Sequence, residues 1–508
     1  MTDLSTDTAP TGCSIIAGAE VRGPGAAFQA RVPGSGEPTG PTFGTVSSDQ
    51  LDEAVRAARE AAADVIDPLA VSTLLGAIAD RLEQAGEQIL PLADAETALG
   101  TTRLTGELAR TVGQFRMMAR AAGEATRRDH VIDPEGDALT EPALLRTTVP
   151  LGVVAVFAAS NFPLAFGVAG TDTSAALAGG CPVVAKAHPA QPGTAEMVGR
   201  IMTSAVADVG LHPGWISIVH EQGHELGAAL VQHQGVDAVA FTGSLRGGRA
   251  LFDLAAQRPR PIPVYAEMGS LNPVVISPGA AAARGQALAD GIAGSFLLGE
   301  GQFCTKPGLI LLPADDAGAA IRRSLIGKVT ERSPAHPLLY DGITRGFGAG
   351  LDAVSDVPGV AVHRSPAGDG SRAAVVVAPV DTLLEHRALR EEVFGPVTVL
   401  VDVDQAQLPA VLDALDPSLT GTLHFEPDEA TWATGLADRL ARKVGRVIAG
   451  GFPTGVRVSP AQHHGGPYPA TTAPLHTSVG LAAIDRFRRP VAFQSFDDAA
   501  LPNWVPRG

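Results

Sequence analysis

Cysteine is scarce in this 508-residue chain: there are three, Cys13, Cys181 and Cys304. Three scattered thiols cannot build a disulfide framework, and they suit a reducing compartment. Tryptophan and tyrosine number three each, which excludes an aromatic platform for stacking single-stranded nucleic acid. Positive charge is also short, with 38 Lys and Arg against 54 Asp and Glu and a net charge of −16. No basic patch stands out, so nucleic acid is not an expected partner. No uninterrupted apolar run reaches the roughly 18 residues of a membrane span. The start, MTDLSTDTAP, lacks the positive charge and apolar stretch of a signal peptide. The expectation is a soluble, cytoplasmic protein that meets neither membrane nor nucleic acid.

The length implies two or three domains. Residues 1–45 are rich in Gly, Pro and Thr and read as an extended arm with short strands. SSDQLDEAVRAAREAAADVI opens with Ser47 or Ser48 as a helix cap. Helical register continues through PLAVSTLLGAIADRLEQAGEQILPLADAETA, and LARTVGQFRMMARAAGEA is another amphipathic helix. DHVIDPEGDALTEPALLRTTVPLG carries turn signals and short alternating runs, which predict a hairpin.

From residue 150 the texture changes. Short apolar runs (LGVVAVFAAS, CPVVAKA, WISIVH, VDAVAFTG) alternate with helical stretches. That rhythm predicts a doubly wound α/β fold with a parallel sheet. A second α/β region begins at NPVVIS and continues through LILLP, AAVVVAP and VTVLVDV, and the tail VAFQSFDD reads as an edge strand.

Cys304 stands out by its neighbours. In FLLGEGQFCTKPG it lies among small and polar residues at a turn. A structural cysteine is normally wrapped in apolar side chains. An accessible thiol with a lowered pKa is a nucleophile, and those are the properties expected of Cys304. Thr242-Gly243-Ser244-x-x-x-Gly248 puts a Gly-Ser turn at a helix start, where backbone N–H groups favour a phosphate. By itself it is equally a plain strand–helix turn. Lys186 closes a strand at the edge where doubly wound sheets bind ligands, so it is either a solvated charge or a nucleotide contact. Glu267 follows an apolar strand and is either a solvated carboxylate or a base. Asn161, before Pro163, is either a turn-former or an amide aimed at an oxyanion.

Taken together, SNFP (160–163), the strand ending in Lys186, FTGS (241–244), EMGSLNP (267–273), GQFCTKPG (301–308) and EEVFGPV (391–397) resemble the aldehyde dehydrogenase superfamily, over nearly the whole chain. The resemblance implies an α/β fold: a Rossmann-like cofactor domain (1–125 and 150–265), an α/β catalytic domain (266–475), and a small β oligomerisation hairpin and tail (126–149 and 476–508). It implies Cys304 as nucleophile, Glu267 as general base and Asn161 as oxyanion donor. Lys186, Gly243, Ser244 and Gly248 would hold the adenosine ribose and pyrophosphate. Glu392 and Phe394 would hold the nicotinamide ribose and ring. The hairpin would pair with the carboxy-terminal strand of a neighbouring subunit, implying a homodimer or homotetramer.

In KAHPAQP, Pro189 stands where many NAD-linked members carry a glutamate that binds the ribose. Its absence removes repulsion against a 2′-phosphate, so NADP is the expected cofactor, with NAD also possible. His188, His224 and Arg246 are candidate phosphate neighbours. EMGSLNP and FPTGVRVSPAQHHGGPYPATT resemble the 2,5-dioxovalerate (α-ketoglutarate semialdehyde) dehydrogenase branch, with NADP-linked long-chain fatty aldehyde dehydrogenases close by. An α-keto acid substrate needs a cationic or hydrogen-bonding anchor. Arg457 and His463 or His464 are the candidates, and Phe162 and Phe166 would line the pocket. No metal is expected, because neighbouring His side chains on an extended loop diverge and no Cys or carboxylate lies at ligand spacing in the sequence. The rival activities are a CoA-acylating enzyme, disfavoured by Glu267, and a non-catalytic scaffold, disfavoured by the intact Cys304, Glu267, Asn161 and Lys186.

Overall fold

Branched aliphatic runs bounded by Gly and Pro become the strands of two seven-stranded sheets in the computed structural model. The structure describes residues 9–63, 67–122, 130–134, 142–333, 336–368 and 370–505. In the first sheet the strands are Ser14–Ile16 (β1), Ala19–Val21 (β2), Val154–Phe157 (β3), Val183–Lys186 (β4), Ile216–Val219 (β5), Ala238–Thr242 (β6) and Val264–Glu267 (β7). They lie in the order β7-β6-β3-β4-β5-β1-β2. β3 to β7 are parallel, while β1 and β2 run antiparallel at one edge. The chain leaves β3 for β4 on one side and returns to β6 on the other. That reversal opens a crevice at the carboxyl ends of the strands, beside Phe157, Lys186 and Thr242.

The second sheet holds Pro273–Ile276 (β8), Leu309–Pro313 (β9), Ala361–Arg364 (β10), Ala374–Val377 (β11), Val397–Val403 (β12), Ser418–His424 (β13) and Val444–Ala449 (β14). Its order is β10-β11-β12-β9-β8-β13-β14, with only β10 antiparallel. The sequence reading missed β13. SLTGTLH has no apolar run, yet all seven residues are buried, and Gly421 lets the Leu440 side chain come within 2.9 Å of where a Cβ would sit. The helix Asp341–Ser355 was also missed, since four glycines interrupt its pattern.

Helices cover both faces of the first sheet. Thr101–Ala122 buries Leu104, Phe115 and Met118 with no measurable exposure. Full burial of such a side chain contributes about 1.5–3 kcal/mol. Ser48–Ala61 starts on the expected cap: Ser47 Oγ accepts from Gln50 N at 3.2 Å, and Gln50 Oε1 accepts from Ser47 N at 2.9 Å.

Val131–Asp133 and Leu144–Pro150 pair antiparallel, as the hairpin reading requires; the connecting turn lies outside the described residues. The tail is an edge strand, as read, but its partner differs from expectation. Arg488–Gln494 pairs with this chain's own Leu144–Pro150, in register from Arg488↔Pro150 to Gln494↔Leu144. The short turn Leu481–Phe487 delivers it there, with Leu151 N donating to Phe487 O at 2.9 Å. No helix among the described residues is long and apolar enough to cross a membrane.

Candidate active site

Glu267 ends β7, and its backbone is tied on both sides. Gly243 N donates to Glu267 O at 3.0 Å, and Met268 N donates to Ala470 O at 2.8 Å. A bridge joins Glu267 to Thr471. These bonds lay the irregular segment 464–478 along the strand end. Within that segment His464 N donates to Thr477 Oγ1 at 2.8 Å, and Ser478 N donates to His464 O at 2.8 Å. The folded-back loop therefore aims two buried side chains at one carboxylate. His464 Nε2 lies 3.0 Å from Glu267 Oε1, and Ser478 Oγ donates to Oε2 at 2.6 Å.

Cys304 comes from the opposite sheet. It sits in a turn before β9, reached through Gly299, Glu300 and Gly301, which all have positive φ. At Gly301 a Cβ would fall 2.2 Å from Gly395 O, so only glycine lets GQFC lie against EVFGP. Asn272 fixes the far side of the turn: its Nδ2 donates to Cys304 O at 2.8 Å and Lys306 O at 3.0 Å. Its Oδ1 accepts from Thr420 N at 3.1 Å, which ties the turn to β13. The result places Cys304 Sγ 3.6 Å from His464 Nε2. One imidazole nitrogen thus stands between the thiol and the carboxylate.

The electrostatics correct one expectation. The half-buried Cys304 thiol is held well above its ordinary value, first by burial and then by the adjacent Glu267 charge and hydrogen bond. It is not a spontaneously ionised thiol. Burial also works to raise Glu267, but His464, Ser478 and the Cys304 thiol outweigh it and hold the carboxyl below its usual range. The nucleophile therefore needs a base, and the ionised Glu267 that accepts from its thiol is that base, held in place by the His464 Nε2–H.

Asn161 reaches the nucleophile's loop, its Nδ2 donating to Gln302 O at 3.0 Å. Among the described residues the Cys304 N–H has no acceptor. Phe162 and Phe166 pack together at 5.6 Å, and Phe162 meets Phe303 edge-on at 5.2 Å. Arg457 is exposed and His463 is off the catalytic cluster; of the two adjacent histidines only His464 enters it. Glu267, Cys304 and His464 offer donor atoms within 4.8 Å of one another. A Cys and a carboxylate thus do accompany His464 in space, contrary to the sequence spacing.

The residues expected around a dinucleotide line the sheet edge. Lys186 Nζ is 3.5 Å from Glu221, which also accepts from Leu226 N and Gly227 N at 2.6 and 3.1 Å. Ser244 caps the helix Leu245–Ala256, with Gly247 N donating to its Oγ at 3.1 Å. Gly243 lies against the Phe241 ring, 2.5 Å from a would-be Cβ. Gly248 packs closely, since a Cβ there would meet Met268 at 2.6 Å. His188 is no phosphate cation, because burial, with Lys186 and His224, pushes its ring down to about 3. Glu392 lies in the cradle left by Gly269, where a Cβ would fall 2.6 Å from its Oε2. Burial pushes Glu392 up to about 7, offset by Lys306. Phe394, two residues on, is half-buried.

Ser478, Asn272 and Arg110 were not assigned by sequence reasoning, and His464 was offered only as a substrate anchor. The HHGG stretch was the signal for His464; nothing local marks Ser478.

Residues 24–337 match the aldehyde dehydrogenase family. The chain is 43% identical over 505 residues to alpha-ketoglutaric semialdehyde dehydrogenase 2 of Azospirillum brasilense, covering 97% of this chain and 96% of that protein. It is 38% identical to alpha-ketoglutaric semialdehyde dehydrogenase of Acinetobacter baylyi, covering 93% and 91%. Its fold matches the crystal structure of PnpE in complex with nicotinamide adenine dinucleotide, with a TM-score of 0.82, 22% identity and coverage of 98% and 100%. Sequence motifs, sheet order and the Cys304 turn converge with these likenesses, and the chain belongs to the aldehyde dehydrogenase family.

Proposed function

We propose that this protein oxidises 2,5-dioxovalerate (α-ketoglutarate semialdehyde) to 2-oxoglutarate, with NADP as the preferred cofactor and NAD also accepted. The observation that carries the reaction class is the Cys304–His464–Glu267 cluster. The substrate follows the two relatives named for it.

The fit to a dinucleotide rests on the crevice edge. Thr242 Oγ1 is buried there without a partner, beside the helix N-terminus capped by Ser244. Lys186 and Ser244 would hold the adenosine half, and Glu392 and Phe394 the nicotinamide half. Pro189 brings no carboxylate to the ribose, and the Glu221 charge is engaged by two N–H groups and Lys186; both support NADP. When bound, the nicotinamide supplies the hydride acceptor that turns a Cys304 thiohemiacetal into a thioester.

The chain's own groups do the rest. The ionised Glu267, which accepts from the Cys304 thiol, takes its proton and gives it up to solvent before the second step, while His464 Nε2–H and Ser478 Oγ–H hold the carboxylate by donating to its two oxygens. The thiolate attacks the aldehyde carbon. Asn161 Nδ2 and the Cys304 N–H face the new oxyanion; such donors contribute roughly 2.7–4 kcal/mol each. Glu267 then takes a proton from the water that hydrolyses the thioester, which makes CoA unnecessary. Exposed Val131, Ile132 and Leu144 on the small sheet support assembly as a homodimer or homotetramer.

Initial rates with NADP and NAD against 2,5-dioxovalerate, succinic semialdehyde, glutaraldehyde and a long-chain aldehyde test the reading. The highest kcat/KM falls to 2,5-dioxovalerate with NADP. A wide margin for the long-chain aldehyde, or dependence on CoA, would overturn it.

A further inference from the structure

Helix Thr101–Ala122 carries a polar stripe of Arg103, Glu107, Arg110 and Gln114, spaced to share one face. Such a stripe ordinarily faces water. Here it faces inward, with Glu107 and Gln114 exposed by only 5% and 1%. Glu107 Oε1 accepts from Leu164 N and Ala165 N at 2.8 and 2.9 Å, which holds the loop after Asn161. Gln114 Nε2 donates to Ser174 Oγ at 3.1 Å.

The two arginines of the stripe differ. Arg103 Nη2 donates to Asn161 O at 2.6 Å, and its guanidinium lies over the Phe303 and Phe162 rings at 4.8 and 5.1 Å. Arg110 has no hydrogen bond or ion pair among the described residues, and its Nε is buried and unpartnered. Its guanidinium lies over the Phe166 and Phe162 rings at 5.4 and 5.9 Å. The charges that face it are Glu107, Glu267 and Cys304 when ionised. Arg110 is therefore turned towards the reacting centre. A guanidinium stays charged even when burial lowers its pKa, so this is a buried fork awaiting an anion.

Arg446, whose charge also reaches the sulfur, keeps only its Nε without a partner among the described residues. Arg446 Nη1 and Nη2 donate to Gly455 O and Pro453 O at 2.7 and 2.8 Å. Arg457 is exposed. We propose that Arg110 is the specificity residue that grips the distal carboxylate of an oxo-acid substrate while its aldehyde carbon meets Cys304. The carbon chain then lies along Phe162 and Phe166. A guanidinium matches a carboxylate with two parallel N–H···O bonds, which a ketone or methyl end cannot accept. The assignment rests on the reading of the site as a semialdehyde dehydrogenase.

The test compares kcat/KM for two acids with that for uncharged aldehydes of equal carbon number: succinic semialdehyde with butanal, and 2,5-dioxovalerate with pentanal. In Arg110→Gln the acid-to-neutral ratio falls about 100-fold, as expected for truncating one side of a buried charge pair, mainly through KM. Arg110→Lys, which keeps the charge without the fork, falls part of the way and serves if the glutamine variant does not fold. An unchanged ratio, or equal loss on acids and neutral aldehydes, overturns the assignment. Wild-type preference for succinic semialdehyde over 2,5-dioxovalerate with an Arg110-dependent ratio would overturn the named substrate and sustain the anchor. A wild type that does not prefer acids overturns both.

Discussion

The two ends of the site are built differently. At the sulfur end both oxygens of Glu267 are hydrogen-bonded, one to His464 and one to Ser478, and His464 also meets Cys304. At the far end two guanidiniums stack on phenylalanine rings with nitrogens left unpartnered. Polar groups that complete one another make a fixed machine. Polar groups left incomplete in a buried site mark where a ligand supplies the missing half. The contrast separates chemistry, which the protein holds ready, from selection, which needs the substrate.

Breaking the sulfur end has the largest effect. Cys304→Ala removes the atom that is acylated, and aldehyde-dependent dinucleotide reduction falls about 10⁴-fold or more, read as kcat at saturating substrate. His464→Gln is next. His464 is the strongest of the contacts that hold the Glu267 carboxyl low, so without it that base is ionised only at higher pH. The rate at neutral pH falls about 100-fold, and the acid limb of the pH profile moves upward. Ser478→Ala is the smallest change. It takes one hydrogen bond from an ionised carboxyl that is held low. The Glu267 carboxyl then protonates at a higher pH, and the acid limb of kcat/KM moves up by about one unit. If the Ser478 variant moved the acid limb as far as the His464 variant, His464 would not be the stronger hold on the carboxylate.

The same contrast shows what the amino-acid sequence reveals. Glu267, Lys186 and Ser244 sit at strand ends or helix starts, so local pattern finds them. Cys304 announces itself by the small residues of its turn. Four parallel strands of the first sheet are legible because each is a short apolar run. His464 and Ser478 lie in a segment with no helix or strand of its own, placed by bonds to Ala266, Glu267 and Met268. Arg110 is hidden for the opposite reason. It lies in a well-formed helix whose polar stripe has the pattern of a solvated face, and only packing turns that face inward. Arg457, by contrast, belongs to the right loop and points elsewhere. The raised Cys304 thiol was also out of reach, since its causes are burial and then a carboxylate contributed by the other sheet.

The account turns on acyl transfer to one sulfur, and the most direct test traps it. Glu267→Gln is mixed with 2,5-dioxovalerate and NADP, quenched in acid within one turnover, and digested for mass spectrometry. The account predicts reduced dinucleotide and an acyl adduct on the peptide that carries Cys304, persisting because hydrolysis lacks its base. Reduced dinucleotide formed with no adduct on Cys304, or with the adduct on another residue, would contradict it.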